Sequence, residues 1–265
     1  MSIPLPIGPR LQTVASFVSA NAKLGDIGTD HAYLPIALCE ARRISKAVAI
    51  DVHDGPYQSA LAAVKAHRLE AVIDVRLGDG LKPLAPREVD VLTLAGMGGR
   101  TMLDILSARP DVLESVLDLV LQPQGAEEAV RLTLLDNGWR LKAEKLVKEE
   151  NRIYVVMAYS KYAGWNKAEL QTLERRWIQR LHPILENKNC LTAEFPSLAG
   201  KLVWHFGPLV LEERTDRLKC YINDYKSMLA RRLEQMKKSD SPEIIAKIKE
   251  VSAELAVAEG LQIWQ

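Results

Sequence analysis

The 265-residue sequence has few cysteines and no long apolar segment. Its three cysteines, Cys39, Cys190 and Cys220, are far apart and have no metal-ligand spacing, so we expect reduced thiols, no disulfide framework and no metal site. No apolar run is long enough to span a membrane. The N-terminus also lacks the basic-then-apolar form of a secretory signal, and we therefore expect a cytoplasmic protein without membrane contact.

The sequence also lacks an excess of charge of either sign. The formal net charge is +1, so the protein as a whole does not have the basic balance typical of nucleic-acid binders. The charge is unevenly spread, however, because residues 1–160 carry a net charge of −2 and residues 161–265 one of +3. The C-terminal part is mildly basic.

The first 160 residues alternate short apolar runs with amphipathic stretches. Near-continuous apolar runs are typical of strands that are covered on both faces, and the alternation with helices indicates a parallel sheet with crossover connections. The predicted strands cover residues 22–28, 47–52, 72–77, 89–95 and 117–122, and the predicted helices cover residues 32–42, 56–69, 100–108 and 126–137.

The alternation ends in a predicted hairpin. Residues 139–147 and 153–159 have strand character and are joined by the polar segment "KEEN", with no helix between them. A nicotinamide-binding domain usually continues with another crossover helix, whereas a class I methyltransferase ends with such a hairpin. The pattern therefore predicts an α/β, Rossmann-like methyltransferase domain over residues 1–160.

Residues 161–265 have no strand pattern. Apolar residues recur at helical spacing in three rows, which begin at Leu170, Leu218 and Ile244. Each row covers only two or three heptads, so we expect a helical, coiled-coil-like domain with an antiparallel pair broken near "SDSP" (239–242). We expect "WHFGPLV" (204–210) to be a loop.

Polar or glycine-rich segments follow all five predicted parallel strands. The carboxyl ends of parallel strands meet at one edge of a sheet, where ligands bind in doubly wound folds. Taken singly, each residue has a simpler explanation as a turn or a helix cap. Taken together they predict a ligand site. These segments contain Gly28, Asp51, Asp79 with Gly80, Gly96 with Met97 in "LAGMGG", and "LQPQ" (121–124).

The missing phosphate motif narrows the choice of ligand. Gly25 and Gly28 are not followed by the third glycine of G-x-G-x-x-G, which argues against a pyrophosphate. S-adenosylmethionine has no phosphate, and carboxylates suit its ribose and its cationic sulfonium. We predict that Asp26 and Gly28 shape the methionine pocket, that Asp51 binds ribose and that Asp79 binds adenine. The full predicted set of cofactor-binding residues is Asp26, Gly28, Asp51, Asp79, Gly80, Gly96 and Met97.

The same segments resemble a known family. "RLQTVASFV", "DIGTDHAYLPI", "DVHDGP", "GDGL", "AGMGG" and "LQP", in this order, are similar to the TrmK family of bacterial tRNA methyltransferases, which act on N1 of adenine 22. The resemblance covers most of residues 9–160 and extends weakly to "FGP" (206–208). It implies a class I methyltransferase domain followed by a helical domain, with S-adenosylmethionine as cofactor and tRNA as partner.

The opening motif also suggests a mechanism. Methylation of adenine N1 leaves a cationic base, and Asp30 is placed to stabilise that charge and accept a proton from the exocyclic amine. We predict that Arg10, His31 and Tyr33 contact the substrate, Tyr33 by stacking on the base. The segment after the fourth strand is "AGMGG" rather than Asn/Asp-Pro-Pro-aromatic, which argues against methylation of the exocyclic amine.

Other readings remain open at the level of sequence. The chain could methylate a small molecule or a protein and use its tail for dimerisation, or it could bind S-adenosylmethionine without catalysis. Asp30 could simply cap the helix that begins near Ala32. Basic tail residues could follow tRNA phosphates or form a solvated helix face: Arg175, Arg176, Arg180, Arg231 and Arg232. The oligomeric state expected is a monomer or a weak homodimer.

Overall fold

The computed structural model describes residues 6–187, 193–238 and 241–264. The chain forms two compact units, Met1–Asn166 and Lys167–Gln265. The predicted boundary lay at residue 160. The additional residues belong to the first unit because Lys161 N donates to Leu117 O (3.0 Å) and Trp165 forms a β-bridge with Leu141.

The first unit is built around a seven-stranded sheet in the order β3-β2-β1-β4-β5-β7-β6. The strands β1 to β5 pair in parallel, and β7 pairs antiparallel with both β5 and β6. The strands are β1 (Ala22–Ile27), β2 (Ile44–Asp51), β3 (Ile73–Leu77), β4 (Val91–Met97), β5 (Asp118–Pro123), β6 (Arg140–Glu149) and β7 (Arg152–Ser160). The predicted Rossmann-like methyltransferase fold is confirmed, with the hairpin where it was expected.

In the part of this unit that the structure describes, residues 6–166, six helices accompany the sheet. They are α1 (Pro9–Phe17), α2 (Tyr33–Glu40), α3 (Asp54–Ala66), α4 (Gly99–Ser107), α5 (Pro110–Leu113) and α6 (Glu127–Asp136). The central strands are buried, and one leucine or isoleucine on each of four of them is 0% exposed: Leu24, Ile50, Leu92 and Leu119. Complete burial explains why these strands are continuous apolar runs in the sequence.

The second unit is helical. It contains α7 (Lys167–Asn187), α8 (Phe195–Phe206), α9 (Pro208–Glu213), α10 (Asp216–Met236) and α11 (Pro242–Trp264). Helices α10 and α11 run antiparallel, because Asn223 bonds Gln262 near one end and Leu229 and Leu233 pack with Val251 further along. The helical character was predicted correctly, while a coiled-coil geometry stays a prediction.

One prediction for this unit is wrong. The segment 204–210 is not a loop, since α8 continues to Phe206 and α9 starts at Pro208. Gly207 adopts φ 106° between them, which stops one helix, and proline suits the first position of the next. Cys190 and part of "SDSP" lie outside the described residues, and Cys39 and Cys220 are free thiols.

No helix in the described ranges is long and apolar enough to cross a membrane. Within the same ranges, no three His, Cys, Asp or Glu side chains are grouped as metal ligands.

Candidate active site

A cleft of about 270 Å³ opens at the carboxyl ends of β1 and β4. This is the edge of the sheet at which ligands bind in parallel α/β folds. The cleft brings together seven residues singled out from the sequence, namely Arg10, Asp26, Gly28, Asp30, His31, Tyr33 and Gly96, and it adds Leu11, Thr29, Leu34, Ala95 and Gln124.

The turn after β1 forms the floor of the cleft. The backbone N–H groups of Gly28 and Thr29 both donate to Ile50 O, at 2.8 and 3.1 Å. Gly28 has φ 74°, and a Cβ at this position would lie 2.6 Å from Met97 Cε. A side chain at residue 28 would therefore be strained and would collide with Met97, which explains the need for glycine here.

Asp26 anchors this turn from below. Its Oδ2 accepts from Thr29 Oγ1 and its Oδ1 from Thr93 Oγ1, both at 2.6 Å. Burial raises the pKa of the Asp26 carboxyl, the two hydroxyl donors partly oppose that shift, and nearby Asp51 adds to it. Because both oxygens are engaged within the protein, Asp26 shapes the cleft chiefly by fixing the turn.

Asp51 ends β2 beside the cleft. The residue is 8% exposed, and its carboxylate accepts from the backbone N–H of His53 (3.0 Å) and of Asp30 (3.3 Å). These two donors orient the carboxylate and link it to the turn that carries Asp30. A carboxylate has about four acceptor positions, so capacity remains for hydroxyl donors of a ligand.

Asp30, His31 and Tyr33 form the mouth of the cleft. The Asp30 side chain is 70% exposed, and its Oδ1 lies 3.6 Å from His31 Nε2. The His31 and Tyr33 rings stack with centroids 5.0 Å apart and planes 17° apart. The result is a small aromatic platform with a carboxylate at its side, a combination suited to a planar base that gains positive charge.

The helix-cap interpretation of Asp30 is wrong. Helix α2 begins at Tyr33, its N-cap is Ala32 in the left-handed region (φ 55°), and no side chain bonds to its first turn. Asp30 itself has φ 51°. The carboxylate of Asp30 therefore has no capping task.

Arg10 reaches the other side of the cleft from α1. Its Nη1 lies 3.5 Å from the position that a Cβ of Gly96 would occupy. Glu149 holds it through Nε (3.1 Å) and through the backbone N–H (3.2 Å), and Gln122 Oε1 accepts from Nη1 (2.9 Å). The guanidinium also lies over the Tyr154 ring, at 5.7 Å.

Sequence reasoning missed the partners of these residues. Thr29 and Thr93 hold Asp26, and Glu149 and Gln122 hold Arg10, but a single threonine, glutamate or glutamine carries no specific signal in a sequence. The nearest indication was the segment "LQPQ" (121–124), in which Gln122 is 0% exposed near the end of β5.

Asp79 and Gly80 lie one loop away from the cleft lining. The Asp79 carboxylate is 59% exposed and pairs with Lys82 Nζ at 2.7 Å. Gly80 has φ 55°, and a Cβ there would be 3.0 Å from Ile105, so packing against α4 already accounts for a glycine. The loop is nevertheless tied to the site, because Gly78 N donates to Asp51 O (2.9 Å).

A larger cavity, of about 470 Å³, lies at the opposite, amino edge of the sheet. Three of its charged residues are already paired, since Arg76 bonds Glu88 at 2.5 Å and Asp74 at 2.7 Å. Ligand sites of parallel sheets lie at the carboxyl edge, so the smaller cleft is the candidate active site.

Comparison with known proteins agrees with this geometry. Residues 7–157 match the family model described as "Methyltransferase domain". Since the match covers more than half of the chain, the protein belongs to this methyltransferase family.

Individual relatives have more specific names than this family description. The tRNA (adenine(22)-N(1))-methyltransferase of Bacillus subtilis is 38% identical over 153 residues, which are 58% of this chain and 64% of the relative, so the match spans less than two thirds of that protein's length. The crystal structure of Streptococcus pneumoniae Sp1610 is 33% identical and covers 97% of this chain and 100% of its own, with a TM-score of 0.75. It has also been solved in complex with S-adenosyl-L-methionine, with a TM-score of 0.72.

A third structure supplies the name of the subfamily. The crystal structure of the B. subtilis m1A22 tRNA methyltransferase TrmK is 27% identical, covers 97% of this chain and 99% of its own, and has a TM-score of 0.77. The resemblance to the TrmK family is confirmed.

Proposed function

We propose that the chain is an S-adenosylmethionine-dependent methyltransferase that modifies N1 of adenine 22 in tRNA. The observation that carries the proposal is the mouth of the cleft, where the exposed Asp30 carboxylate flanks the His31–Tyr33 stack. The names of the B. subtilis and S. pneumoniae relatives support the reaction and the cofactor. The proposed substrate also places the protein in the cytoplasm.

The residues of the cleft fit the cofactor. When bound, S-adenosylmethionine supplies a methyl group carried on a cationic sulfonium. Gly28 lets the chain turn tightly at the end of β1 (φ 74°), and Gly96 leaves room for a ligand at the end of β4. Negative charge from Asp26 and Asp51 on the same side of the sheet favours a cationic ligand over a phosphate.

Each carboxylate has a distinct proposed role. Asp51, held by two backbone N–H groups, accepts the ribose hydroxyls. Asp79 binds the adenine of the cofactor with help from Gly80. Its exposed ion pair with Lys82 is weak and opens at little cost. Asp26 fixes the turn that bounds the methionine pocket.

Asp30 handles the charge that develops on the target base. Adenine N1 forms a bond to the methyl carbon as the carbon–sulfur bond breaks, and the base becomes cationic. The Asp30 carboxylate stabilises that cation and accepts a proton from the exocyclic N6 amine, which restores a neutral base. His31 and Tyr33 stack on the base and hold it, which implies that the base leaves its place in the folded tRNA.

Arg10 and the second unit contact the rest of the tRNA. Glu149 and Gln122 use two of the five N–H donors of the Arg10 guanidinium, and the others are available to phosphate or ribose oxygens at the cleft edge. On α10, Arg231 and Arg232 are exposed and line a shallow groove with Asp224 and Gln235. We propose that this basic face follows tRNA phosphates and that the protein acts as a monomer or weak homodimer.

A labelling experiment tests the proposed function. The full-length protein is incubated with S-adenosylmethionine that is labelled in its methyl group, together with each of three pools of possible substrates. The pools are bulk tRNA, total protein and a small-molecule extract. We expect label in tRNA alone, recovered as N1-methyladenosine after digestion to nucleosides. Label in protein or in small molecules would assign the fold to another acceptor, and label in no pool would indicate a binding module.

A further inference from the structure

Two glutamines at the end of β5 have different surroundings. Gln122 is 0% exposed, and both ends of its amide are engaged, since Oε1 accepts from Arg10 Nη1 and Nε2 donates to Pro123 O, each at 2.9 Å. Gln124 is exposed and lines the cleft. Within the part of the chain that the structure describes, its side-chain amide makes no hydrogen bond. Gln122 is therefore a structural residue, whereas Gln124 presents a free amide to the cleft.

The backbone of Gln124 is held firmly. Its N–H donates to Met97 O (2.8 Å), and Gly99 N donates to Gly125 O (3.2 Å), so two bonds join the loops after β4 and β5. Glu127 Oε1 accepts from Gly125 N (3.0 Å). Gly125 (φ 94°) and Ala126 (φ 56°) turn the chain sharply before α6. A free side chain on a fixed backbone is suited to reading a ligand.

The Gln124 amide also lies in a useful place. Its Nε2 is 3.9 Å from the position that a Cβ of Gly96 would take, so the amide lies beside Gly96 in the cleft. Asp30, His31 and Tyr33 line the same cleft from the loop after β1. A base that stacks on the aromatic pair would have the carboxylate and the amide within one small cavity.

Hydrogen-bonding chemistry selects which edge of adenine the amide can read. A glutamine amide offers one donor and one acceptor, which matches N7 and the N6 amine of adenine. Bonding to N1 instead would occupy the lone pair that has to attack the methyl group. The N6 amine has two hydrogens, so the one nearer N7 can pair with glutamine while the one nearer N1 faces Asp30. Guanine has acceptors at both O6 and N7 and cannot satisfy the glutamine oxygen.

We propose that Gln124 is a specificity-determining residue that reads the N6/N7 edge of the target adenine and leaves N1 free. The assignment rests on the proposed function.

A substrate-variant cycle tests this assignment. Full-length tRNA is prepared with adenosine or 7-deazaadenosine, which lacks N7, at position 22. Methyl transfer is measured as kcat/KM for the wild type, Gln124→Ala, Gln124→Glu and the control Gln58→Ala, an exposed glutamine on α3. We expect 7-deazaadenosine to slow the wild type and the control by about 10- to 100-fold, the range for losing part of a bidentate base contact. We expect Gln124→Ala to be slowed similarly on adenosine, with little further loss on 7-deazaadenosine.

For each protein, the ratio of kcat/KM on the adenosine tRNA to kcat/KM on the 7-deazaadenosine tRNA is calculated. Comparing this ratio between the wild type and Gln124→Ala cancels any change in the intrinsic reactivity of N1, because both proteins act on the same two substrates. Gln124→Glu keeps the size and the acceptor but loses the donor, so it should also be insensitive to N7. Thermal unfolding and calorimetric titration with S-adenosylmethionine should give wild-type values for both variants. Two results would overturn the assignment of Gln124 and leave the proposed function standing. One is an equal loss of kcat/KM on 7-deazaadenosine in the wild type and in Gln124→Ala, and the other is a wild-type rate for Gln124→Ala on adenosine. No N1-methyladenosine from the wild type on the adenosine substrate would overturn the proposed function with it.

Discussion

Replacing Asp30 by asparagine isolates the charge of one side chain. The structure gives the carboxylate no task in folding, since it is 70% exposed and caps no helix. Asparagine is nearly the same size and tolerates the left-handed backbone that Asp30 adopts at φ 51°. We therefore expect the free energy of unfolding of Asp30→Asn to stay within about 0.5 kcal/mol of the wild type.

The rate of methyl transfer is expected to fall much further. Loss of a positioned acid or base group slows a reaction by about 10²- to 10⁴-fold, which corresponds to about 3–5 kcal/mol of activation free energy. Because the carboxylate interacts most strongly with the cation that forms in the transition state, the affinities for S-adenosylmethionine and tRNA should change little.

Single-turnover rates with saturating tRNA measure this effect directly. The matched control is Asp111→Asn, which removes a surface carboxylate paired with Arg109 at 2.7 Å, away from the cleft. The control should keep the wild-type rate. A wild-type rate for Asp30→Asn as well would refute the catalytic role of Asp30.

Three further predictions concern affinity and stability. Asp51→Ala should weaken S-adenosylmethionine binding by about 1–3 kcal/mol in calorimetry, as expected for lost hydrogen bonds to a charged group, and unchanged affinity would remove Asp51 from the site. Replacing Arg231 and Arg232 together by glutamine should reduce the slope of log affinity for tRNA against log salt by about 2, and an unchanged slope would make them a solvated helix face. Burial raises the pKa of Asp26 above its ordinary 3.8, so the folded state holds a proton that the unfolded state releases, and stability should fall as pH rises from 3.8 through the raised pKa. Urea titrations of Asp26→Asn should lack that decline, and parallel pH profiles would contradict this account of Asp26.

The sheet and its ligand edge could be predicted because burial leaves a direct signature in the sequence. Strands such as β5 are covered on both faces and read as apolar runs, so the polar residues at their ends stand out. Gly28 and Asp51 were identified in this way. Gly28 lines the cleft, and Asp51 accepts a hydrogen bond from the backbone N–H of Asp30 in the turn that follows β1.

The connections inside the site could not be predicted, because they join residues far apart in sequence. Arg10 and Glu149 are 139 positions apart, and nothing in either segment indicates the other. Backbone conformation was equally hidden. Asp30 and Ala32 both adopt positive φ, which residues other than glycine rarely do. For this reason α2 begins at Tyr33 and not at Ala32, where the helix was predicted to begin.

In the second unit, the expectation of a loop over residues 204–210 was wrong. Gly207 and Pro208 instead lie at the end of α8 and the start of α9, and Gly207 alone separates the two helices. Glycine and proline at adjoining helix ends are equally typical of a sharp turn between helices.

The measurement that tests the central claim most directly is the position of the transferred methyl group. Full-length protein is incubated with S-adenosylmethionine and a tRNA carrying adenosine or guanosine at position 22, and the product is mapped by primer extension and nucleoside mass spectrometry. We expect N1-methyladenosine at position 22 of the first tRNA, with a block to primer extension at that base, and no methylation of the second. Methylation at N6, at another position or of the guanosine-containing tRNA would contradict the account.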